Sequence, residues 1–109
     1  MIEETIYQAL KSLAEGNVYL SVAPLGAVPP YLIYSVPTKR RADVLTGQSE
    51  SYLSIQIDAY DLTLMSVTYL IEEALRHLKY LAPTDISEFS VYESETNLHR
   101  RTAEFRVIQ

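Results

Sequence analysis

The residues best placed for chemistry are few. Glu73 and His77 stand four apart in a helical pattern, close enough to share a metal ion; two ligands on one helix more commonly form a solvated pair. Glu93, Glu95, Asn97 and His99 crowd a polar turn, a composition that suits acid–base work and also an ordinary hairpin connection. Lys39-Arg40-Arg41 is the only basic run, able to grip a phosphate, to contact a protein or simply to stay hydrated. No serine sits in a nucleophile-elbow context with a His and Asp partner. With Gly16, Gly26 and Gly47 as the only glycines, no phosphate-cradling loop can be written. No catalytic, cofactor-binding or metal site follows from these residues, and the reading is of a protein that is not an enzyme.

Composition narrows the classes further. The chain has 109 residues, 9 Lys+Arg, 14 Asp+Glu and a formal charge of −5, with 48% hydrophobic residues, a size and content that fit one domain spanning 1–109. The absence of cysteine excludes disulfide scaffolds, thiol catalysis and cysteine-ligated zinc, and suits a reducing cytoplasm. No apolar run approaches the ~20 residues of a membrane span, and Met1-Ile2-Glu3-Glu4 is acidic where a signal peptide is basic. A soluble, intracellular chain is expected. Net negative charge argues against a nucleic-acid binder. Nine Tyr against two Phe and no Trp is the odd feature, since a tyrosine suits contacts that are half core and half surface.

Hydrophobic spacing supplies the elements that must position these residues. Ile2, Ile6, Ala9, Leu10 and Leu13 predict a helix from Ile2 to Ala14, ended by Gly16-Asn17. A short strand at Val18–Val22 and a proline-rich loop from Ala23 to Pro30 follow. Tyr31–Val36 is a predicted strand closed by Pro37, with Thr38–Ser49 a polar loop or hairpin tip. In Tyr52–Tyr60, Leu53, Ile55, Ile57 and Ala59 alternate with polar or aromatic neighbours, so one face is buried.

Asp61 is the expected cap of a helix from Leu62 to Leu81, stopped by Pro83. Its buried face takes Leu64, Val67, Thr68, Leu70, Ile71, Ala74, Leu75, Leu78 and Leu81. Its opposite side carries Met65, Tyr69, Glu72, Arg76 and Tyr80, apolar surface alternating with an ion pair. Strands at Ile86–Tyr92 and Leu98–Ile108, joined by Glu93–Asn97, complete the chain, with Phe105 and Val107 inward and Glu104 and Arg106 outward. The expected fold is α+β, a mainly antiparallel sheet of four to five strands with two helices packed on one face.

Charge is divided along the chain. No Lys or Arg falls between Ala42 and Leu75, where Asp43, Glu50, Asp58, Asp61, Glu72 and Glu73 lie; the cations gather at 39–41, 76–79 and 100–106. Such a molecule can dock head to tail on copies of itself, closing into a ring when the rotation divides a full turn.

The ordered landmarks resemble a known family. Pro30-Tyr31-Leu-Ile-Tyr34 after a proline-rich loop, Tyr52-Leu-Ser-Ile-Gln-Ile-Asp-Ala-Tyr60, a long helix with Ala74-Leu75 and a Pro stop, then Tyr92-Glu93-Ser-Glu95-Thr-Asn-Leu98-His-Arg100 running into Ala103-Glu-Phe105-Arg-Val107 are similar to the tail completion (tail-to-head joining, tail terminator-like) proteins of long-tailed bacteriophages and prophages. The resemblance covers nearly the whole chain and rests on order and spacing. It implies a virion-tail subunit, made in the host bacterial cytoplasm. Six copies would form a ring at the head-proximal end of the tail tube, end tube growth and meet the tail tube protein and the head connector or stopper. It implies no catalytic residue and no cofactor.

The matching positions, Tyr31, Tyr34, Gln56, Asp58, Tyr60, Glu93, Leu98, Arg100 and Phe105, mix fold-defining with assembly roles; from Lys39 to Gln48 only Leu45 and Gly47 match. Interface residues expected on this reading are Met65, Tyr69, Arg76 and Tyr80, the run Lys39, Arg40 and Arg41, and Gln56 with Asp58. DNA would pass an acidic lumen without specific binding. The alternative is a ligand- or peptide-binding module that uses a strand edge or the Pro24–Pro30 loop, without catalysis.

Overall fold

A computed structural model describes residues 1–41 and 51–108, and Leu45, Gly47 and the rest of 42–50 lie outside the described residues. The elements run α1 (Ile2–Leu10), β1 (Val18–Leu20), β2 (Tyr31–Arg41), β3 (Ser51–Asp61), α2 (Leu64–His77), β4 (Thr84–Glu93) and β5 (Leu98–Ile108). The strands form one five-stranded sheet in the order β1-β2-β3-β5-β4. Only the β1–β2 pair is parallel, which demands a crossover rather than a hairpin, and the proline-rich stretch supplies it. The α+β layer expected from the sequence is therefore present.

The core sits between the helices and one face of the sheet. Ile6 and Leu10 of α1, and Val67, Leu70, Ile71 and Ala74 of α2, meet Leu32, Tyr34, Ile55, Ile57, Ala59, Ala103, Phe105 and Val107 in a single buried cluster. The alternation in β3 and β5 puts every second side chain there, as the spacing requires. Along β5, Phe105 and Val107 are buried while Glu104 and Arg106 are exposed, as expected. Among the described residues no helix is long and apolar enough to cross a membrane.

Several boundaries differ from the sequence reading. α1 stops at Leu10, not Ala14, and the chain turns through Ala14, Glu15 and Gly16 at φ of 52°, 56° and 85°. The turn is pinned to the start of β2, the Asn17 side chain donating to the Pro30 carbonyl (3.2 Å) and the Leu32 N–H to the Asn17 carbonyl (2.9 Å). β1 ends at Leu20, two residues early, because Ser21 takes a positive φ of 64°. α2 is also shorter than expected. It ends at His77 and gives way to a tight turn at Lys79–Leu81, so Tyr80 leaves the α-helix. Leu64, assigned to the buried face, is exposed on the first turn.

The cap of α2 is Thr63, not Asp61. Thr63 Oγ1 accepts from the Ser66 N–H at 3.1 Å, while Asp61 accepts from the Leu62 N–H at 2.8 Å and from the Ser66 hydroxyl. Replacing a capping threonine leaves a helix-end donor without its partner. Thr63→Ala is expected to cost about 1 kcal/mol, read as a lowered urea midpoint with an unchanged slope.

The largest difference concerns β2. Pro37 does not close the strand: it sits in a bulge where Val36 and Pro37 together face Ile55, and pairing resumes at Thr38–Ser54. A proline lacks the ladder donor, and a bulge is one of the few places in a sheet that tolerates this. Lys39, Arg40 and Arg41, expected in a loop, are therefore strand residues paired with Leu53, Tyr52 and Ser51. A second bulge interrupts β4, where Asp85 and Ile86 together face Phe105. Because Ile55 and Phe105 are themselves paired, the two bulges lie at one level on either side of the central strands.

Candidate functional site: the open face of the sheet

Both helices cover the same face, which among the described residues leaves the other face to the sheet. Strand pairing sets its rows. Tyr31, Tyr60, Arg100 and Val91 stand side by side across β2, β3, β5 and β4; Ile33, Asp58, Thr102 and Phe89 form the next row; Ser35, Gln56, Glu104 and Ser87 the third; Thr38, Ser54, Arg106 and Thr84 the fourth. The face passes from aromatic and apolar at one end to polar at the other.

This is not a plain hydrated surface. Thr102 is 1% exposed and Asp58 only 7%. The Thr102 hydroxyl donates to Asp58 Oδ1 and the Gln56 amide to Asp58 Oδ2 at 3.1 Å, so the buried carboxylate is held by two neighbours on its own face. Above this network the Tyr31 and Tyr60 rings stack at 4.7 Å, and Tyr19 leans on Tyr31 at 6.2 Å. Arg100 lies against the Tyr60 hydroxyl and 3.9 Å from Glu93, with its Nε buried and lacking a hydrogen-bond partner.

The electrostatics follow from this packing. Burial pushes the Tyr31 phenol above its ordinary value, with Tyr60, Glu93 and Tyr19 adding to the shift. Burial also raises Tyr60, more than the Arg100 hydrogen bond lowers it. Burial works against the Arg100 cation, yet its hydrogen bond to Tyr60 and the charges of Tyr60, Asp58 and Glu93 raise it overall.

A phenol whose folded pKa is raised contributes stability that is whole below its unfolded value of about 10 and is lost as the pH climbs through the folded value. Stability should therefore fall as the pH rises past about 10 and through the raised folded values. Urea midpoints across that window should show a shallower fall for Tyr60→Phe.

Where the two bulges flank the Ile55–Phe105 row, the open face sinks into a trough of about 560 Å³. Thr38, Ser54, Gln56, Ser87, Glu104 and Arg106 line it. A bulge increases local twist and re-aims neighbouring side chains, so paired interruptions at one level bend the sheet there.

The other sequence candidates separate in space. Met65, Tyr69 and Tyr80 are exposed on the outer helical side at 83%, 60% and 65%, opposite the open sheet face. The expected pairing of Arg76 with Glu72 is replaced by Arg76 with Glu73, because those side chains meet at three-residue spacing. The Glu73 carboxylate beside the Tyr69 phenol raises Tyr69, and Arg76 first, then Tyr69, lowers Glu73. Glu73 and His77 do not converge on a common point: His77 Nδ1 donates to the Ala9 carbonyl at 2.9 Å. Among the described residues no group of three or more His, Cys, Asp and Glu could hold a metal.

Glu93 and His99 belong to opposite sheet faces, since Glu93 pairs with Leu98 and Tyr92 with His99. The Tyr92 hydroxyl donates to Asn97 Oδ1 (3.1 Å), and His99 packs on the Tyr92 ring at 4.9 Å. That cluster therefore builds a hairpin, not an acid–base pair. Tyr34, one of the tyrosines matching the family, is buried in the core with Tyr7 at 6.5 Å.

Sequence reasoning missed the Tyr31–Tyr60–Arg100 row as a unit. Each member stands at a strand position, but their adjacency depends on pairing across three strands.

Comparison with known proteins gives a likeness of structure rather than of sequence. No family model matches the chain, and no curated protein matches it. Among solved structures, the fold is similar to a chain of the "Virion of native gene transfer agent (GTA) particle", with a TM-score of 0.58 and 15% identity, covering 94% of this chain and 90% of that one. At that identity the likeness is one of fold.

Proposed function

We propose that this chain is a non-enzymatic structural subunit of a phage or phage-like particle. It assembles as a ring of six copies at the head-proximal end of the tail tube, ends tube growth and joins the tail to the head connector. The observation that carries this is the near end-to-end fold likeness to a chain of a virion. The order of landmarks resembling tail completion proteins points the same way.

The surfaces agree with such a part. An aromatic and arginine-bearing sheet face and a Met65/Tyr69/Tyr80 stripe lie on opposite sides of the layer, and tyrosine and arginine are the residues that most often anchor protein contacts. Met65, Tyr69, Arg76 and Tyr80 make one contact surface. Gln56 and Asp58 support the open face from beneath, and Lys39, Arg40 and Arg41 lie on the sheet edge. The partners are other copies of this chain, the tail tube protein and the connector or stopper. The net charge of −5 lets DNA pass without adhering. The site of action is the virion tail, after synthesis in the bacterial cytoplasm.

The test is gold-labelled protein added to purified tails that lack it. Label at one end only is the expected result; label along the whole tube, or none, contradicts the proposal. The trough between the bulges favours a second reading, a peptide-binding module without catalysis. Chemical-shift changes confined to Ser54, Gln56 and Ser87 on adding peptides would support it.

A further inference from the structure

The sheet ends in two free backbone edges of unlike character. Along β4, Ser87–Glu93 pairs with β5 on one side, and its other side has no partner strand among the described residues. At the far edge β1 covers β2 only at Leu32–Tyr34, so Thr38–Arg41 pairs with β3 alone among the described residues. Natural sheets blunt such edges with lysine, proline or bulges. The β2 edge is interrupted by the bulge and proline at Val36–Pro37, and beyond them Thr38–Arg41 holds only the lysine, Lys39, which an acidic partner edge would neutralise. The β4 edge has one bulge at Asp85-Ile86, and then seven residues, Ser87–Glu93, with no Pro, Gly, Lys or Arg. Phe89, Val91 and Tyr92 are exposed along it.

Charge divides the same way. β4 holds Asp85, Glu88 and Glu93 and no cation, whereas Lys39, Arg40 and Arg41 end β2 with no anion beside them in sequence. We infer that copies of this chain join through these unlike edges, Ser87–Glu93 of one copy adding as a strand beside Thr38–Arg41 of the next. The inference rests on the ring reading above and names its seam.

Pairing unlike edges follows from two arguments. Like charges directly opposite in a ladder are destabilising, so β4 against β4 or β2 against β2 is disfavoured. A contact between different surfaces also leaves one of each open after every addition, so it repeats until the ring closes.

Direction is consistent with this. β2, β3, β5 and β4 alternate, so β4 runs opposite to β2, and copies rotated about an axis along the strands pair antiparallel. Thr38 and Thr84 stand in the same row across the sheet. The register we assign sets Lys39 opposite Glu88, which places Thr38 opposite Phe89 and Arg40 opposite Ser87; Lys39 and Glu88 then share a face, since they pair in their own sheets with Leu53 and Ala103. Glu88 already meets Arg101 (3.1 Å) and Asp85 meets Arg106 (3.7 Å). A carboxylate has acceptor sites for a second cation.

A charge swap tests this. Lys39→Glu/Arg40→Glu and Glu88→Lys, each alone, should raise the concentration needed for assembly about tenfold or more, measured by analytical ultracentrifugation. Mixed in equal amounts, the two variants should recover assembly, because each then meets an edge of opposite charge. On assembly of the wild type, amide exchange across Ser87–Glu93 should slow.

If the wild type assembles while either variant alone does so equally well, or exchange at Ser87–Glu93 is unchanged, the edge pairing is wrong and the ring reading stands. If the variants mixed together stay monomeric although circular dichroism shows both folded, the pairing is likewise overturned. A wild type that remains monomeric even on tail tubes overturns the ring reading and the seam with it.

Discussion

Phe105→Ala should lower the stability of the folded chain by about 3–5 kcal/mol. The ring is 2% exposed and pairs with Ile55 at the level where both bulges break the outer strands. Truncation removes the transfer free energy of the ring and leaves a cavity that the two central strands cannot close without shifting. With a total stability on the order of 5–15 kcal/mol, the loss is a large share of the whole. The urea midpoint should fall by roughly 2 M at an unchanged slope. A fall worth less than about 1 kcal/mol would show that Phe105 does not fill the core. This assigns Phe105, among the positions matching the family, a fold-defining role, and Leu32, Tyr34 and Ile57 share it by the same burial.

Tyr69→Glu should do the reverse. Tyr69 is 60% exposed and stands one helical turn before Glu73. A glutamate there sets two carboxylates at four-residue spacing, a cost of about 0.2–0.5 kcal/mol to the helix, so the monomer should unfold at nearly the wild-type temperature. In the contact role proposed above the tyrosine is worth far more: loss of a hot-spot anchor costs about 2 kcal/mol or more of binding, at least ~30-fold in affinity. Tails lacking the wild-type protein should therefore stay incomplete when supplied with the folded variant. Equal completion by Tyr69→Glu would remove the outer helical stripe from the interface.

Much of the layer architecture was legible because it rests on short-range periodicity. Leu53, Ile55, Ile57 and Ala59 alternate, and Val67, Leu70, Ile71 and Ala74 recur at helical spacing, so both faces of the core could be read directly. The β2 extension was not, since whether Pro37 ends a strand or sits in a bulge depends on what Ile55 does on the opposite strand. Asp61 and Thr63 are both good caps two residues apart, and composition alone does not choose between them. Gln56 and Asp58 were recognised as outward-facing, but the burial of Asp58 was not. It arises from Thr102 beside it on β5, forty-four residues away in sequence. The Tyr31–Tyr60–Arg100 row needs register across three strands for the same reason.

The proposed role at the tail end is tested most directly by electron microscopy of particles made in cells with and without this gene. Without the protein, tails should vary in length and heads stand unjoined, and supplying the protein should restore tails of uniform length attached to heads. Tails of uniform length, joined to heads in its absence, would contradict that role.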